Sequence, residues 1–194
     1  IYMDQLLRRP WSGYAVRKFC DESYEGNLNS YGCDFPMIRY AEVLLNYAEA
    51  MYELGTTGKA LDDALNISLN LVRLRVNPDM PKLTTSFVSE NSLDMREEIR
   101  RERTIELYNE GFRVDDLKRW NTAIVEMPKP ILGVKWTGTD FATSWAGAST
   151  MAKDSEGCLI LEGGRRWGSK NDLYPLPVDQ CQLNPNLGQN PGWQ

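Results

Sequence analysis

The densest run of chemically capable side chains is Glu102-Arg103-Thr104-Ile105-Glu106-Leu107, followed by Glu110-Gly111-Phe112-Arg113-Val114-Asp115-Asp116-Leu117-Lys118-Arg119-Trp120. Two carboxylates flanking a glycosidic bond can serve as acid and base, so Glu102 and Glu106 are the pair to weigh for hydrolysis. Their spacing speaks for another use. One turn apart on one helix face, with Arg103, Arg113 and Arg119 available as partners, they read as the acidic side of an ion-pair lattice that also takes in Asp116. Carboxylates facing several guanidiniums are held ionised, which is the wrong state for a general acid. The expectation is a structural lattice of Glu102, Arg103, Glu106, Arg113, Asp116 and Arg119, with no catalytic residue.

Other chemistries fail for want of residues. The chain has no His, which removes Ser-His-Asp and Cys-His nucleophile systems and His-ligated metal sites. Cys20, Cys33, Cys158 and Cys181 are widely spaced and contain no C-x-x-C pattern, so no zinc site is expected. Two disulfides are conceivable in an oxidising compartment, and the sequence does not choose among the pairings. Gly55-Thr56-Thr57-Gly58-Lys59-Ala60 superficially suggests a phosphate loop but lacks the four-residue spacing and the Ser or Thr after Lys. No cofactor and no metal follow.

Tryptophan offers a different use. A flat ring can stack on the C–H face of a sugar while amides and carboxylates take its hydroxyls. Trp120 sits at helical spacing and reads as core. Trp136, Trp145 and Trp167 lie in irregular, polar sequence where burial is harder to arrange, and are the candidate ligand-binding residues.

The elements that must position these groups fall into two regions, helical over 36–126 and loop-rich over 127–194, within one domain. Residues 1–35 show little helical periodicity. Trp11 to Phe19 reads as a short extended segment and Glu25 to Gly32 as a loop. Ile38, Ala41, Leu44, Leu45, Ala48, Met51 and Tyr52 recur at three- and four-residue steps, predicting a helix that opens at Pro36 and exits at Gly55. A second helix is predicted over 59–75, with Ala60, Ala64, Ile67, Leu71 and Leu74 on one face and Asn77-Pro78 as its stop. This hairpin has the length of one tetratricopeptide-like unit, which cannot bury its apolar face alone. After a polar loop over 81–91, Ser92 is the predicted cap of a helix running toward Glu110. A further helix is predicted from Phe112 to Ala123, with Val114, Leu117 and Trp120 inward.

Net charge −5 over 194 residues, with basic and acidic side chains interspersed, makes a poor polyanion binder, and no nucleic-acid partner is expected. No run of about 18 apolar residues is present, so no transmembrane helix is predicted. The chain opens at Ile1 with no signal peptide, and a processed piece of a longer protein is the expectation.

Met37-Ile38-Arg39-Tyr40-Ala41-Glu42-Val43-Leu44-Leu45-Asn46-Tyr47-Ala48-Glu49-Ala50 resembles the Arg-Tyr-Ala-Asp/Glu-Val-Leu-Leu helix of the SusD/RagB family. Ala64 to Arg75 is similar to the partner helix ending in Val-Arg-x-Arg. Ile99 to Glu106, with Glu110-Gly111-x-Arg113 and Asp116-Leu117-x-Arg119-Trp120, resembles the family's most recognisable block. Tyr174-Pro175-Leu176-Pro177 and Asn184-Pro185 through Trp193 resemble its terminal signature. The blocks stand in family order over most of the chain.

The resemblance implies a mainly α fold of tetratricopeptide-like helix pairs packed with an irregular, loop-rich region. It implies a nutrient-binding protein, not an enzyme, on the extracellular face of the outer membrane of Bacteroidetes-type bacteria. Such a protein captures oligosaccharide and hands it to a SusC-like TonB-dependent transporter. Membrane attachment would come only from an N-terminal lipid anchor absent from this chain. Some family members handle peptides instead. Two further readings remain: a helical-repeat protein interaction module, resting on residues 37–75, and a glycoside hydrolase, resting on the carboxylate-rich helix.

Overall fold

A computed structural model describes residues 12–14, 16–19, 24, 32 and 34–193. Helices dominate the described residues, and the sheet is a single pair of strands. The chain divides into two compact units: Lys18–Arg113, and Ile1–Arg17 together with Val114–Gln194.

In the 18–113 unit, helix α1 (Tyr40–Glu53) packs on the two helices that follow and on the helix over Met95–Glu106. Leu45 and Ala48 are buried, and Ala41, Leu44 and Tyr52 pack over them. The helix starts later than Pro36: Arg39 is its N-cap, in extended conformation, and the expected inward Ile38 is 78% exposed. Arg39 extends toward Glu106 and Glu110, and its extended backbone sets the boundary. At the far end Gly55 takes φ +82°, and the amides of Gly55 and Thr56 return to the carbonyls of Tyr52 and Met51.

The predicted helix over 59–75 is two: α2 (Gly58–Asn66) and α3 (Leu69–Val76). Ser68 makes the break. Its hydroxyl donates at 2.6 Å to the Ala64 carbonyl, the acceptor its own amide would use in a continuous helix. That amide bonds to Leu65 O. The faces are rephased as a result. Leu61, Leu65, Leu69 and Val72 are buried, whereas Ile67 and Leu71, expected inside, are exposed.

The polar loop over 81–91 contains α4 (Thr85–Glu90), capped by Thr84, whose hydroxyl accepts the Phe87 amide at 3.1 Å. Fully buried Asn70 holds the preceding strand of chain in a two-bond clamp, accepting from Leu83 N at 2.7 Å and donating to Leu83 O at 2.9 Å. Helix α5 (Met95–Glu106) is capped by Asp94, whose carboxylate accepts the Glu97 amide at 2.9 Å. Ser92, the predicted cap, lies in a left-handed turn at φ +53°. Ile99 and Met95 of α5 join Leu83, Val88 and Leu107 in one apolar core with α1–α3.

In the other unit, α6 (Arg113–Arg119) buries Leu117 and leaves Val114 on the surface. It is shorter than the predicted helix to Ala123, because Asn121 turns left-handed (φ +57°) before α7 (Ala123–Glu126). Residues 127–194 are less irregular than expected. Strands β1 (Ile131–Lys135) and β2 (Cys158–Glu162) pair antiparallel, with Leu132 opposite Ile160 and Lys135 opposite Cys158. Both strands are only five residues long and β1 contains Gly133, so the period-2 signal was too brief to read. Gly133 is needed where it stands: a Cβ there would lie 2.7 Å from Ser12 O, which accepts the Val134 amide at 2.8 Å. Helices α8 (Phe141–Ser144) and α9 (Val178–Leu183) and 3-10 turns at Ala146–Thr150 and Ser169–Asp172 supply the remaining regular structure among the described residues.

Of the predicted extended segment Trp11–Phe19, residues 11 and 15 lie outside the described residues, as does most of the Glu25–Gly32 loop. Cys20 and Cys33 lie outside them too, and Cys158 and Cys181 are free thiols.

Candidate functional site

The acidic residues of α5 and the turn after it are gripped by cations. Arg39 donates from Nε to Glu110 Oε2 at 2.7 Å and from Nη2 to Oε1 at 2.6 Å. Its Nη1 reaches Glu106 Oε1 at 2.9 Å. The Lys18 ammonium also bonds Glu110, and it takes the carbonyls of Glu106 and Tyr108 at the end of the helix. Arg75 closes the group from α3, with Nη2 at 3.0 Å from both Glu106 oxygens. One turn back, Arg73 Nε stands 3.4 Å from Glu102.

The cations on Glu102 and Glu106 are therefore Arg73, Arg75 and Arg39, which corrects the expectation that Arg103, Arg113 and Arg119 would serve. The reason is helix packing. Residue 39 begins α1 and residues 73 and 75 end α3, and both helices lie against α5, so long side chains arrive from across the core. Arg113 bonds the Thr104 hydroxyl at 2.8 Å, and Arg119 bonds Asp116 on its own helix at 2.8 Å. Arg103 is buried, donates to Asn46 Oδ1 at 2.7 Å and stands over the Phe112 ring.

Burial and pairing act oppositely on these carboxyls. Burial pushes Glu110 up, but the hydrogen bonds and charges of Arg39 and Lys18 outweigh it and hold the carboxyl below its ordinary range. The pairing raises Arg39, chiefly through its bond to Glu110. Glu102 goes the other way. Burial raises it, Arg73 only partly offsets this, and Glu106 and Glu98 add to the rise. At Glu102 guanidinium pairing offsets burial only in part, because the 3.4 Å approach of Arg73 makes no hydrogen bond. The pair's surroundings differ from those of a glycosidase. The side chains of Glu102 and Glu106 are 14% and 9% exposed and engaged with guanidiniums, whereas a glycosidase presents two carboxyls across an open cleft.

The three candidate tryptophans lie in the unit of 114–193 and are half-buried. Trp136 and Trp145 pack on Val134, Ala148 and Leu159, and the Trp136 indole N–H donates to Trp145 O at 3.3 Å. Lys153 lies over Trp136, 4.5 Å from the ring centre, while donating to the carbonyls of Ala148, Ser149 and Met151. These two rings anchor their own loop. Trp167 is separate from that cluster: its indole donates to Asp172 Oδ1 at 2.9 Å, and one face is approached by Lys118. Tyr174, not singled out in the sequence except within the terminal signature, is 73% exposed with the Lys118 ammonium 4.0 Å from its ring centre. The structure thus brings together Trp136 and Trp145, and groups Trp167 with Tyr174. No spacing signal links residue 118 to 174; only the fold does.

The model of the SusD family matches residues 2–193. Among solved structures, a SusD-like carbohydrate binding protein from Bacteroides fragilis is 30% identical with a TM-score of 0.62, over 79% of this chain and 28% of that one. A second SusD-like protein from the same species is 29% identical with a TM-score of 0.56, over 81% of this chain and 25% of its own. The chain therefore spans little more than a quarter of these relatives' length. No curated protein matches it.

Proposed function

We propose, because this chain belongs to the SusD family, that it is part of a nutrient-binding protein that captures oligosaccharide at the cell surface and does not catalyse its cleavage. In this reading the protein works on the extracellular face of the outer membrane, attached by a lipid anchor. It passes its ligand to a SusC-like TonB-dependent transporter. The observation that carries the reading is family membership, joined to a likeness to a solved relative described as carbohydrate binding. The geometry is in keeping with it. Carboxylates that would have to act in hydrolysis are tied into the helix lattice, and the exposed Tyr174 beside Trp167 offers ring faces of the kind that stack on sugars. Of the three candidate tryptophans, Trp167 is the one we propose as a ligand contact. The test is isothermal titration against a broad glycan panel. Saturable binding of at least one oligosaccharide supports the reading, and silence across the panel moves a peptide or other nutrient into its place.

A second reading, an α-helical protein interaction module, draws on the exposed row Tyr40, Val43, Tyr47 and Leu54 along α1. Glycan affinity that is unchanged when Trp136, Trp145 and Trp167 are each replaced by Ala would favour it.

A further inference from the structure

Residues 173–177 run between a 3-10 turn and α9 without helix or strand. Pro175 and Pro177 have no N–H, which makes the segment a poor partner for a β-strand. Side chains of residues 189–193 meet its polar backbone groups instead. Gln189 clamps Leu176: Oε1 accepts the Leu176 amide at 2.7 Å, and Nε2 donates to the Leu176 carbonyl at 2.8 Å. Asn190 Nδ2 donates to Tyr174 O at 2.6 Å. The Trp193 indole N–H donates to the carbonyls of Lys170 and Leu173 at 2.8 and 2.9 Å. Gly192 lets the two runs close up, since at φ +83° a Cβ there would come within 2.6 Å of Lys170 Cβ.

The strapped run is the one that carries the exposed ring. Tyr174 is 73% exposed, so burial does little to fix it. Its backbone is held by Asn190 at its own carbonyl and by Gln189 two residues on, and Lys118 stands 4.0 Å from its ring centre. An exposed aromatic left free to move must be ordered when a ligand stacks on it, which lowers affinity. Holding its backbone beforehand removes part of that loss.

We infer that the strap of residues 189–193 positions Tyr174 for stacking on a sugar ring. Gln189 and Asn190 are positioning residues that act through Tyr174 and touch no ligand themselves, and Gly192 provides the close approach they need. The inference rests on the glycan-capture reading and adds to it a role for the terminal Gln189-Asn190-Pro191-Gly192-Trp193 run.

The experiment is a double-mutant cycle read by isothermal titration. Linear hexasaccharides of glucose, mannose, galactose and xylose are titrated into wild type, and the tightest binder is the probe. It is then titrated into Gln189→Ala, Asn190→Ala, Gly192→Ala and Tyr174→Ala, into the Asn190→Ala and Gly192→Ala variants combined with Tyr174→Ala, and into Gln182→Ala, an exposed residue outside the strap. Tyr174→Ala is expected to weaken binding about tenfold and each strap variant about fivefold, with Gln182→Ala at wild type. In the Tyr174→Ala background neither strap substitution should change affinity by more than about twofold, because the ring it positions is gone. A strap that merely supports the fold would weaken the double variants by its full single-variant factor. Gly192→Ala removes no hydrogen-bonding group and so repeats the cycle by a second route. Additive losses, or wild-type affinity in Tyr174→Ala or in the strap variants, overturn the inference and leave glycan capture standing. Failure of every hexasaccharide to bind overturns both.

Discussion

Arg39 and Glu110 meet fork to fork, Nε on Oε2 at 2.7 Å and Nη2 on Oε1 at 2.6 Å, with the Glu110 side chain only 3% exposed. The pair joins the start of α1 to the turn after α5, elements 71 residues apart in sequence. A bidentate guanidinium–carboxylate contact fixes orientation as well as distance, so it sets how the two helices lie.

Removing one partner leaves the other buried charge uncompensated. Glu110→Ala is expected to destabilise the protein by about 3 kcal/mol, seen as a lower urea midpoint at unchanged slope. A loss below about 0.5 kcal/mol would place the pair among surface contacts.

The two shifted carboxyls make opposite contributions to acid stability. Glu110 is lowered in the fold, so its stabilisation is present above the unfolded carboxyl pKa and is lost as pH falls through the folded one. Glu102 is raised, so its ionisation costs stability at neutral pH, and that cost is relieved as pH falls toward the unfolded value. Unfolding free energy measured from pH 7 down to pH 3 should fall less steeply in Glu110→Gln than in wild type. In Glu102→Gln it should fall more steeply. Parallel profiles in all three proteins would contradict both assignments.

Asn70 is fully buried and satisfies both backbone groups of Leu83. Asn70→Ala strands a buried N–H and a buried carbonyl, at a cost of about 2–4 kcal/mol. Hydrogen exchange should report it locally, with the Leu83 amide losing protection before the amides of α5.

The aromatics divide by role. Trp136→Ala empties part of the cluster around Val134 and Leu159 and should cost about 3 kcal/mol. Tyr174→Ala, at an exposed position, should shift the melting temperature by no more than about 2 °C. Equal losses in the two variants would mean that Tyr174 is structural as well.

The sequence already contained the mainly α architecture, the inward face of α1 at Leu45 and Ala48, the Gly55 exit and the stop at Asn77-Pro78. Those features are local: periodicity, a positive φ and a proline clash act within a few residues. Ser68 defeated the same reasoning, because its hydroxyl competes with the helix for Ala64 O in a way no hydrophobic pattern registers. The lattice acids Glu102 and Glu106 stood out by density. Their partners Arg39, Arg73 and Arg75 did not, since which guanidinium arrives is decided by helix packing across 29 to 67 positions of sequence. Tyr174 beside Lys118 was likewise out of reach, being a contact between an α6 side chain and a loop 56 positions on.

Recognition by ring faces near Trp167, with the Glu–Arg lattice as scaffold, is tested most directly by titrating one bound oligosaccharide into wild type, Trp167→Ala and Glu106→Gln. Affinity is expected to drop about tenfold in Trp167→Ala, the loss of one stacked ring, and to remain within about twofold in folded Glu106→Gln, whose carboxylate pairs with Arg39 and Arg75. Unchanged affinity in Trp167→Ala together with its loss in Glu106→Gln would contradict the account.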